Sequence, residues 1–235
     1  MQELESSDLV ERGVDGTYRL GIATLVLGGA YAASPLVWTS ADRVVRQLAN
    51  ETGESAYLGV LTGTTVVIQL GTEGRNAIVT SSIIGQRIPA NCTAIGKALL
   101  AQLSDDEVSA RFAAAPQGLT SRSIVDADQL LAELASIRSK GYATEDGEAH
   151  LALAGLAVSA DSLVLSERRM VGIGVSMRSE VEAAKRECIR RALVEAKDRL
   201  NRNAAILAAF GKDSRPSFKP TPVPTGRLGQ DGQRG

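Results

Sequence analysis

The period of the hydrophobic pattern changes near Ser55, and this change constrains the fold more than any other feature of the chain. Apolar residues recur at helical spacing over residues 20–31 and 40–52, which predicts two helices in series. Downstream of Ser55, β-branched residues cluster between Gly and Thr residues, a pattern typical of strands joined by tight turns. The pattern predicts an antiparallel meander of three strands, over residues 57–61, 66–70 and 77–79.

Helix and strand signals alternate along the rest of the chain. Asp15-Gly16 lies between two short strand-like runs and predicts an N-terminal hairpin. Further helices are predicted to begin at Ser104 and Asp126, the second ending at Gly141. Two more strands and a long C-terminal helix are predicted over residues 151–159, 169–177 and 179–210. The strand over 169–177 is rich in Gly, which marks a place where a ligand or another backbone segment comes close.

The stretch from Asn91 to Ala101 combines a helix start with small residues and one lysine. Pro89 ends a preceding strand, and Asn91 or Thr93 is suited to cap the helix. The first turn of a helix leaves N–H groups without intrahelical acceptors, and the peptide dipoles make that end partly positive. The residues alone leave two interpretations open: an ordinary capped helix with Gly96 at a close packing contact, or a cradle for a small carboxylate.

Composition excludes several classes of function. Lys and Arg number 26 and Asp and Glu 27, so the net charge of −1 offers no overall basic field for nucleic acid or anionic lipid. Cys92 and Cys188 have no second Cys or His at ligand spacing, so we expect no metal, no cofactor, no disulfide and a reducing, cytoplasmic location. The longest apolar segment, residues 20–38, is interrupted by Gly and Pro and predicts neither a signal peptide nor a membrane anchor.

Three motifs together resemble the IclR family of bacterial transcriptional regulators. Residues 18–21, Tyr-Arg-Leu-Gly, resemble the end of that family's wing and the start of its linker helix. Residues 93–101, TAIGKALLA, resemble its signature, and residues 141–148, GYATEDGE, resemble its Gly-Tyr segment with trailing carboxylates. The resemblance extends from about Glu5 to Ala209.

The resemblance implies an α+β fold: a winged helix-turn-helix followed by a GAF-like effector-binding domain, in which helices flank a central antiparallel sheet. We expect a wing remnant over residues 1–20, a linker helix over 21–38, the GAF-like domain over 39–210 and a disordered tail over 211–235. Only residues 1–8 precede the first wing strand, and they carry no Lys or Arg. We therefore expect most of the winged helix-turn-helix to be missing and DNA to be a partner only if that domain is restored.

The resemblance also implies a ligand-sensing and oligomerisation function, with a small organic acid controlling DNA binding and the chain forming a homodimer or homotetramer. The effector-binding positions implied by the family are Ala94, Ile95, Glu145, Gly155, Gly174 and Ser176. Gly155 stands where the family often has Cys, and Gly174 where it often has Ser. We expect these glycines to widen the pocket and make it less polar, which favours an effector larger or more apolar than a two- or three-carbon keto acid.

Other interpretations stay open at this point. A stand-alone sensor or dimerisation module without DNA contact is the main alternative. A catalytic set of Cys92, His150 and Glu145 is conceivable, although we expect no enzyme, because His150 is the only histidine and no catalytic motif accompanies it. Cys92 is expected to be a packed residue, or else a thiol whose pKa is lowered beside a helix start. Lys97 is expected to extend along its helix toward solvent or to pair with an acid, and Glu148 to be a solvated carboxylate or a pairing partner.

Overall fold

The computed structural model describes residues 1–32, 35–77, 83–164 and 167–210. A short helix, α1 (Gln2–Ser6), precedes a hairpin of β1 (Val10–Arg12) and β2 (Tyr18–Leu20). The predicted hairpin is confirmed, with Arg12 opposite Tyr18 in antiparallel pairing. The predicted tail and part of the predicted strand over residues 77–79 lie outside the described residues.

Two helices follow the hairpin, α2 (Ile22–Ala32) and α3 (Pro35–Thr52). The sequence predicts the second helix from Ser40, but α3 begins five residues earlier, and Pro35 is suited to the first helical position because its missing N–H has no acceptor there. The expected boundary between linker helix and effector domain, at residues 38–39, therefore falls inside α3. No helix among the described residues is both long and apolar enough to cross a membrane.

The remaining strands form one six-stranded sheet in which every neighbouring pair is antiparallel. The strands are β3 (Ser55–Thr62), β4 (Thr65–Thr72), β5 (Arg87–Pro89), β6 (Ala143–Asp146), β7 (Leu153–Val164) and β8 (Glu167–Arg178). Their order across the sheet is β5-β4-β3-β8-β7-β6. The predicted pairing of the first two strands of the meander is confirmed, and β5 joins β4 at the edge.

Helices cover both faces of this sheet. The long helix α7 (Ala183–Phe210) packs with α3 on one face, where Val45, Leu193 and Ile173 are fully buried. On the other face lie α4 (Ala94–Leu100), α5 (Asp105–Arg111) and α6 (Ala127–Lys140). This arrangement confirms the α+β class and the antiparallel sheet flanked by helices. The two cores are separate hydrophobic clusters with the sheet between them.

Candidate functional site

A cavity of about 180 Å³ lies between the sheet and the start of α4. All six positions implied by the resemblance line it: Ala94, Ile95, Glu145, Gly155, Gly174 and Ser176. The remaining lining is largely apolar and includes Ile68, Ile83, Ile88 and Leu153. The fold therefore brings the six predicted positions together, although their separate places in the sequence span α4, β6, β7 and β8.

The strand register explains how the sheet supplies four of the lining residues. Ser55 of β3 pairs with Ser176 of β8, which pairs with Gly155 of β7, which in turn pairs with Glu145 of β6. Directly paired residues on neighbouring antiparallel strands project to the same face. The four residues thus form one row across the sheet, with hydroxyl groups at one end and a carboxyl group at the other.

The start of α4 forms the wall opposite this row. Thr93 is the N-cap, and its side chain accepts a hydrogen bond from the Gly96 N–H at 2.9 Å. A Cβ at Gly96 would lie 2.2 Å from the carbonyl oxygen of Ala90, so only glycine lets α4 lie this close to the short 3-10 turn Ala90–Cys92. The interpretation as a capped helix with a close contact at Gly96 is confirmed. The first turn also lines the cavity, and the interpretation as a carboxylate cradle stays a prediction.

The two sheet glycines of the cavity lining, Gly155 and Gly174, admit close packing of neighbouring side chains. An ideal Cβ at Gly174 would lie 2.8 Å from Cγ1 of Ile95, and one at Gly155 would lie 3.2 Å from Cγ of Glu145. At Gly172 an ideal Cβ would lie 3.1 Å from the carbonyl oxygen of Ile95, which confirms that another backbone segment approaches the Gly-rich strand. The expectation that Gly174 widens the cavity is wrong, because the Ile95 side chain occupies the space.

Glu145 supplies a buried carboxyl group to the cavity. The residue is 7% exposed, and its Oε2 accepts a hydrogen bond from the backbone N–H of Glu148 at 3.1 Å. Burial raises the pKa of Glu145 to about 7, a rise that the nearby Glu148 charge increases and that the N–H groups of residues 148 and 149 and the Lys97 charge oppose. Glu145 is therefore divided between its neutral and charged forms near neutral pH.

Lys97 and Glu148 form a buried ion pair behind the cavity. The Lys97 ammonium lies 2.6 Å from Oε1 of Glu148 and 3.6 Å from Oε1 of Glu133 on α6, and Lys97 is 1% exposed. The prediction that Lys97 pairs with an acid is confirmed, while the alternative that it extends to solvent is wrong. Glu148 is likewise buried and paired, so its interpretation as a solvated carboxylate is wrong.

The conceivable catalytic set is not supported by its surroundings. The Cys92 thiol is buried and lies 3.3 Å from the carbonyl oxygen of Gln117, while Nδ1 of the exposed His150 accepts the N–H of Ala152. The expectation that Cys92 is a packed residue is confirmed. Burial raises the pKa of its thiol, so the alternative of a lowered pKa beside the helix start is wrong. Within the described ranges, no group of three or more His, Cys, Asp or Glu residues is placed to hold a metal ion.

Sequence reasoning missed three polar residues of the cavity: Ser55, Tyr57 and Asn76. Ser55 begins the strand next to β8, and its Oγ accepts the N–H of Gly74 at 3.3 Å. Asn76 donates from Nδ2 to Oε1 of the buried Glu54 at 3.0 Å. No sequence motif indicates these residues, because their place in the site depends on strand register and on the loop after β4.

Comparison with known proteins identifies the family of this chain. The family described as bacterial transcriptional regulator IclR C-terminal matches residues 30–201. The HTH-type transcriptional regulator XynR of Escherichia coli (strain K12) is 32% identical over 135 residues, which are 57% of this chain and 54% of XynR. The chain thus spans about half the length of this relative.

Solved structures share the fold. An IclR transcriptional regulator from Silicibacter sp. TM1040 aligns with a TM-score of 0.74 at 25% identity, covering 87% of this chain and 81% of that one. An IclR homologue from Microbacterium hydrocarbonoxydans, crystallised with 4-hydroxybenzoate, aligns with a TM-score of 0.67 at 20% identity, covering 86% and 83%. These relatives are transcriptional regulators and not enzymes. The chain belongs to the IclR family of bacterial transcriptional regulators and carries its effector-binding domain.

Proposed function

We propose that the cavity between α4 and the sheet binds a small organic acid, and that occupancy of the cavity controls DNA binding by the regulator. The observation that carries the proposal is the convergence of Ala94, Ile95, Glu145, Gly155, Gly174 and Ser176 on this one cavity. The cavity combines an apolar interior with hydroxyl groups, a carboxyl group and the first-turn backbone of a helix. Such a combination of apolar walls and few polar groups is typical of small-molecule sites.

The volume of the cavity favours an acid built on a single ring. An engineered protein cavity of about 150 Å³ holds benzene, and this cavity measures about 180 Å³. A two-carbon or three-carbon keto acid would leave much of the apolar lining without a partner. The effector is accordingly larger and more apolar than such an acid, even though Gly174 adds no free volume.

A thermal-shift series of acids graded by size tests this proposal. Acetate, glyoxylate, pyruvate, benzoate and 4-hydroxybenzoate are compared at pH 6.5, and the ring acids are expected to raise the melting temperature most. A ligand present at 100 times its dissociation constant stabilises the folded state by about 2.7 kcal/mol. Stabilisation by glyoxylate or pyruvate alone would refute the size argument, and stabilisation by none of them would count against an acid effector.

A matched pair of serine variants locates the binding site. Ser176→Val places a larger apolar side chain in the row that lines the cavity and is expected to abolish the thermal shift. Ser159→Val is the control: it makes the same change on the neighbouring strand β7, at a position outside the cavity lining. Equal loss of the shift in both variants would mean that the acid binds elsewhere.

We infer that the regulator acts as a homo-oligomer and that α2 contributes to the contact. Ile22, Leu25, Val26 and Leu27 of this helix are all more than half exposed, which is an unusual concentration of apolar surface. Light scattering after size exclusion measures the mass. A gel shift of the protein carrying a winged helix-turn-helix, on DNA from its own promoter with and without acid, measures DNA control. A monomeric mass would contradict the proposed oligomer. A gel shift of the same size with and without acid would contradict the proposed control of DNA binding.

A further inference from the structure

We propose that Lys97 is the positioning residue of the effector cavity, acting through Glu148 on the Glu145 carboxyl group. The inference rests on the proposed function of the cavity, and it concerns a residue that does not itself line the cavity. Lys97 belongs to α4, whose first turn forms one wall, whereas Glu145 belongs to β6 on the opposite side. A single chain of contacts joins the two walls.

The first contact in this chain is the ion pair behind the cavity. The Lys97 ammonium lies 2.6 Å from Oε1 of Glu148, and both residues are buried. A buried ammonium that lost this partner would keep only the longer contact to Glu133 at 3.6 Å, so separating the pair is costly. Glu148 is thereby held against α4.

The second contact transmits this position to Glu145. The chain turns from β6 toward β7 in a bend at residues 147–150, with Gly147 at φ 76°. The Glu148 N–H in this turn donates to Oε2 of Glu145 at 3.1 Å. The carbonyl oxygen of Glu148 accepts from Ser123 Oγ at 2.7 Å, which holds the turn from the other side. The side chain of Glu148 thus fixes the turn, and the backbone of the turn fixes the carboxyl group that faces the cavity.

Two charged groups, Lys97 and Glu148, act on the pKa of Glu145, and their opposite signs make the role of Lys97 measurable. Lys97 on α4 favours the charged form of Glu145 and Glu148 in the turn disfavours it, while Glu133 on α6 lies 3.6 Å from the Lys97 ammonium. Cys92 lies beside Glu148 with a thiol whose pKa is raised. Asp146, next in sequence to Glu145, is engaged instead by Arg122 and Arg186 at the surface.

The test is the titration midpoint of Glu145, followed through its carboxyl carbon by NMR of ¹³C-Glu-labelled protein without any ligand. Lys97→Met is expected to raise the midpoint, because a favourable positive charge is removed. Glu148→Gln is expected to lower it, because an unfavourable negative charge is removed. If Lys97 and Glu148 only filled space, their replacement would not shift the titration midpoint of Glu145 in opposite directions.

Glu133→Gln is the matched control for Glu148→Gln, since it removes the same charge from a partner of Lys97 that has no hydrogen bond to Glu145. Its effect on the midpoint is expected to be less than half that of Glu148→Gln. Equal effects of the two glutamine variants, or shifts of the same sign for Lys97→Met and Glu148→Gln, would overturn the proposal. If Lys97→Met does not fold, Lys97→Arg takes its place, because it keeps the positive charge and alters only the contact with Glu148. A shifted Glu145 midpoint then supports the positioning role, and an unchanged midpoint overturns it.

Failure of this inference is distinguishable from failure of the proposed function. The acid series on the unmodified protein decides whether the cavity binds an acid, whereas the NMR titration needs no ligand and decides whether Lys97 governs Glu145.

Discussion

Replacing Glu145 with Gln should change how the stability of the domain depends on pH. The pKa of Glu145 rises from 4.5 to about 7 on folding, with burial as the main cause. The folded state therefore binds this proton more tightly than the unfolded state does, and the free energy of unfolding falls as pH increases through this range. At about 1.4 kcal/mol for each pH unit, the loss between pH 4.5 and pH 8 amounts to about 3 kcal/mol.

Glu145→Gln removes the titrating group and keeps an oxygen that accepts the Glu148 N–H. The variant is expected to lack this part of the pH dependence and to be more stable than the unmodified protein at pH 8, by up to about 3 kcal/mol. Urea unfolding followed by circular dichroism at half-unit steps from pH 5 to pH 8.5 measures the difference. The variant should gain on the unmodified protein steadily up to about pH 7.5 and then level off.

Glu187→Gln on α7 is the matched control. The pKa of Glu187 is lowered to about 2 by Arg190 and Arg191, so this carboxylate does not titrate between pH 5 and pH 8.5. The difference between this variant and the unmodified protein should be constant across that range. Parallel pH profiles for Glu145→Gln and the unmodified protein would refute the argument that Glu145 is buried with a raised pKa.

Three further predictions concern the same region. Binding of benzoate, measured by calorimetry, should weaken as pH increases from 6 to 8, because ionised Glu145 repels an anionic ligand, and an affinity independent of pH would place the ligand away from Glu145. Gly174→Ala should destabilise the domain by about 1–3 kcal/mol through overpacking against Ile95, and combination with Ile95→Ala should cost less than the two separate changes together; strict additivity in urea unfolding would contradict the contact. Cys92 should react with iodoacetamide more slowly than the exposed Cys188, as followed by peptide mass spectrometry, and faster labelling of Cys92 would contradict its burial.

Local signals in the sequence predicted the helices of the effector domain because caps are local. Ser104 forms a full capping box with Glu107, and Asp126 accepts the Gln129 N–H, as a helix start requires. Gly141 ends α6 in the left-handed conformation, at φ 79°. Each of these features depends on residues within one turn, so the sequence contains all the information needed to predict it.

Features that depend on residues far apart in the sequence could not be predicted from local sequence patterns. The place of Ser55 in the cavity depends on its pairing with Ser176, more than a hundred residues away. A shift of β3 by one residue in this register would turn the Ser55 side chain to the other face. The occupation of the space beside Gly174 by the Ile95 side chain likewise depends on how α4 packs against β8. The six positions implied by the family resemblance line one cavity, but the resemblance did not reveal which part of its space the side chains of this chain occupy.

The row Ser55, Ser176, Gly155 and Glu145 makes the cavity a product of the whole sheet. Its four members come from β3, β6, β7 and β8. Strand β8, which follows the other three in the chain, lies between β3 and β7 in the sheet. A chain that emerges from the ribosome can pair Gly155 with Glu145 once β6 and β7 are made, but Ser55 joins the row only when β8 inserts between β3 and β7. Ligand binding would then report completed folding, and a fragment ending before β8 should recover binding only when a peptide supplying both β8 and α7 is added in trans.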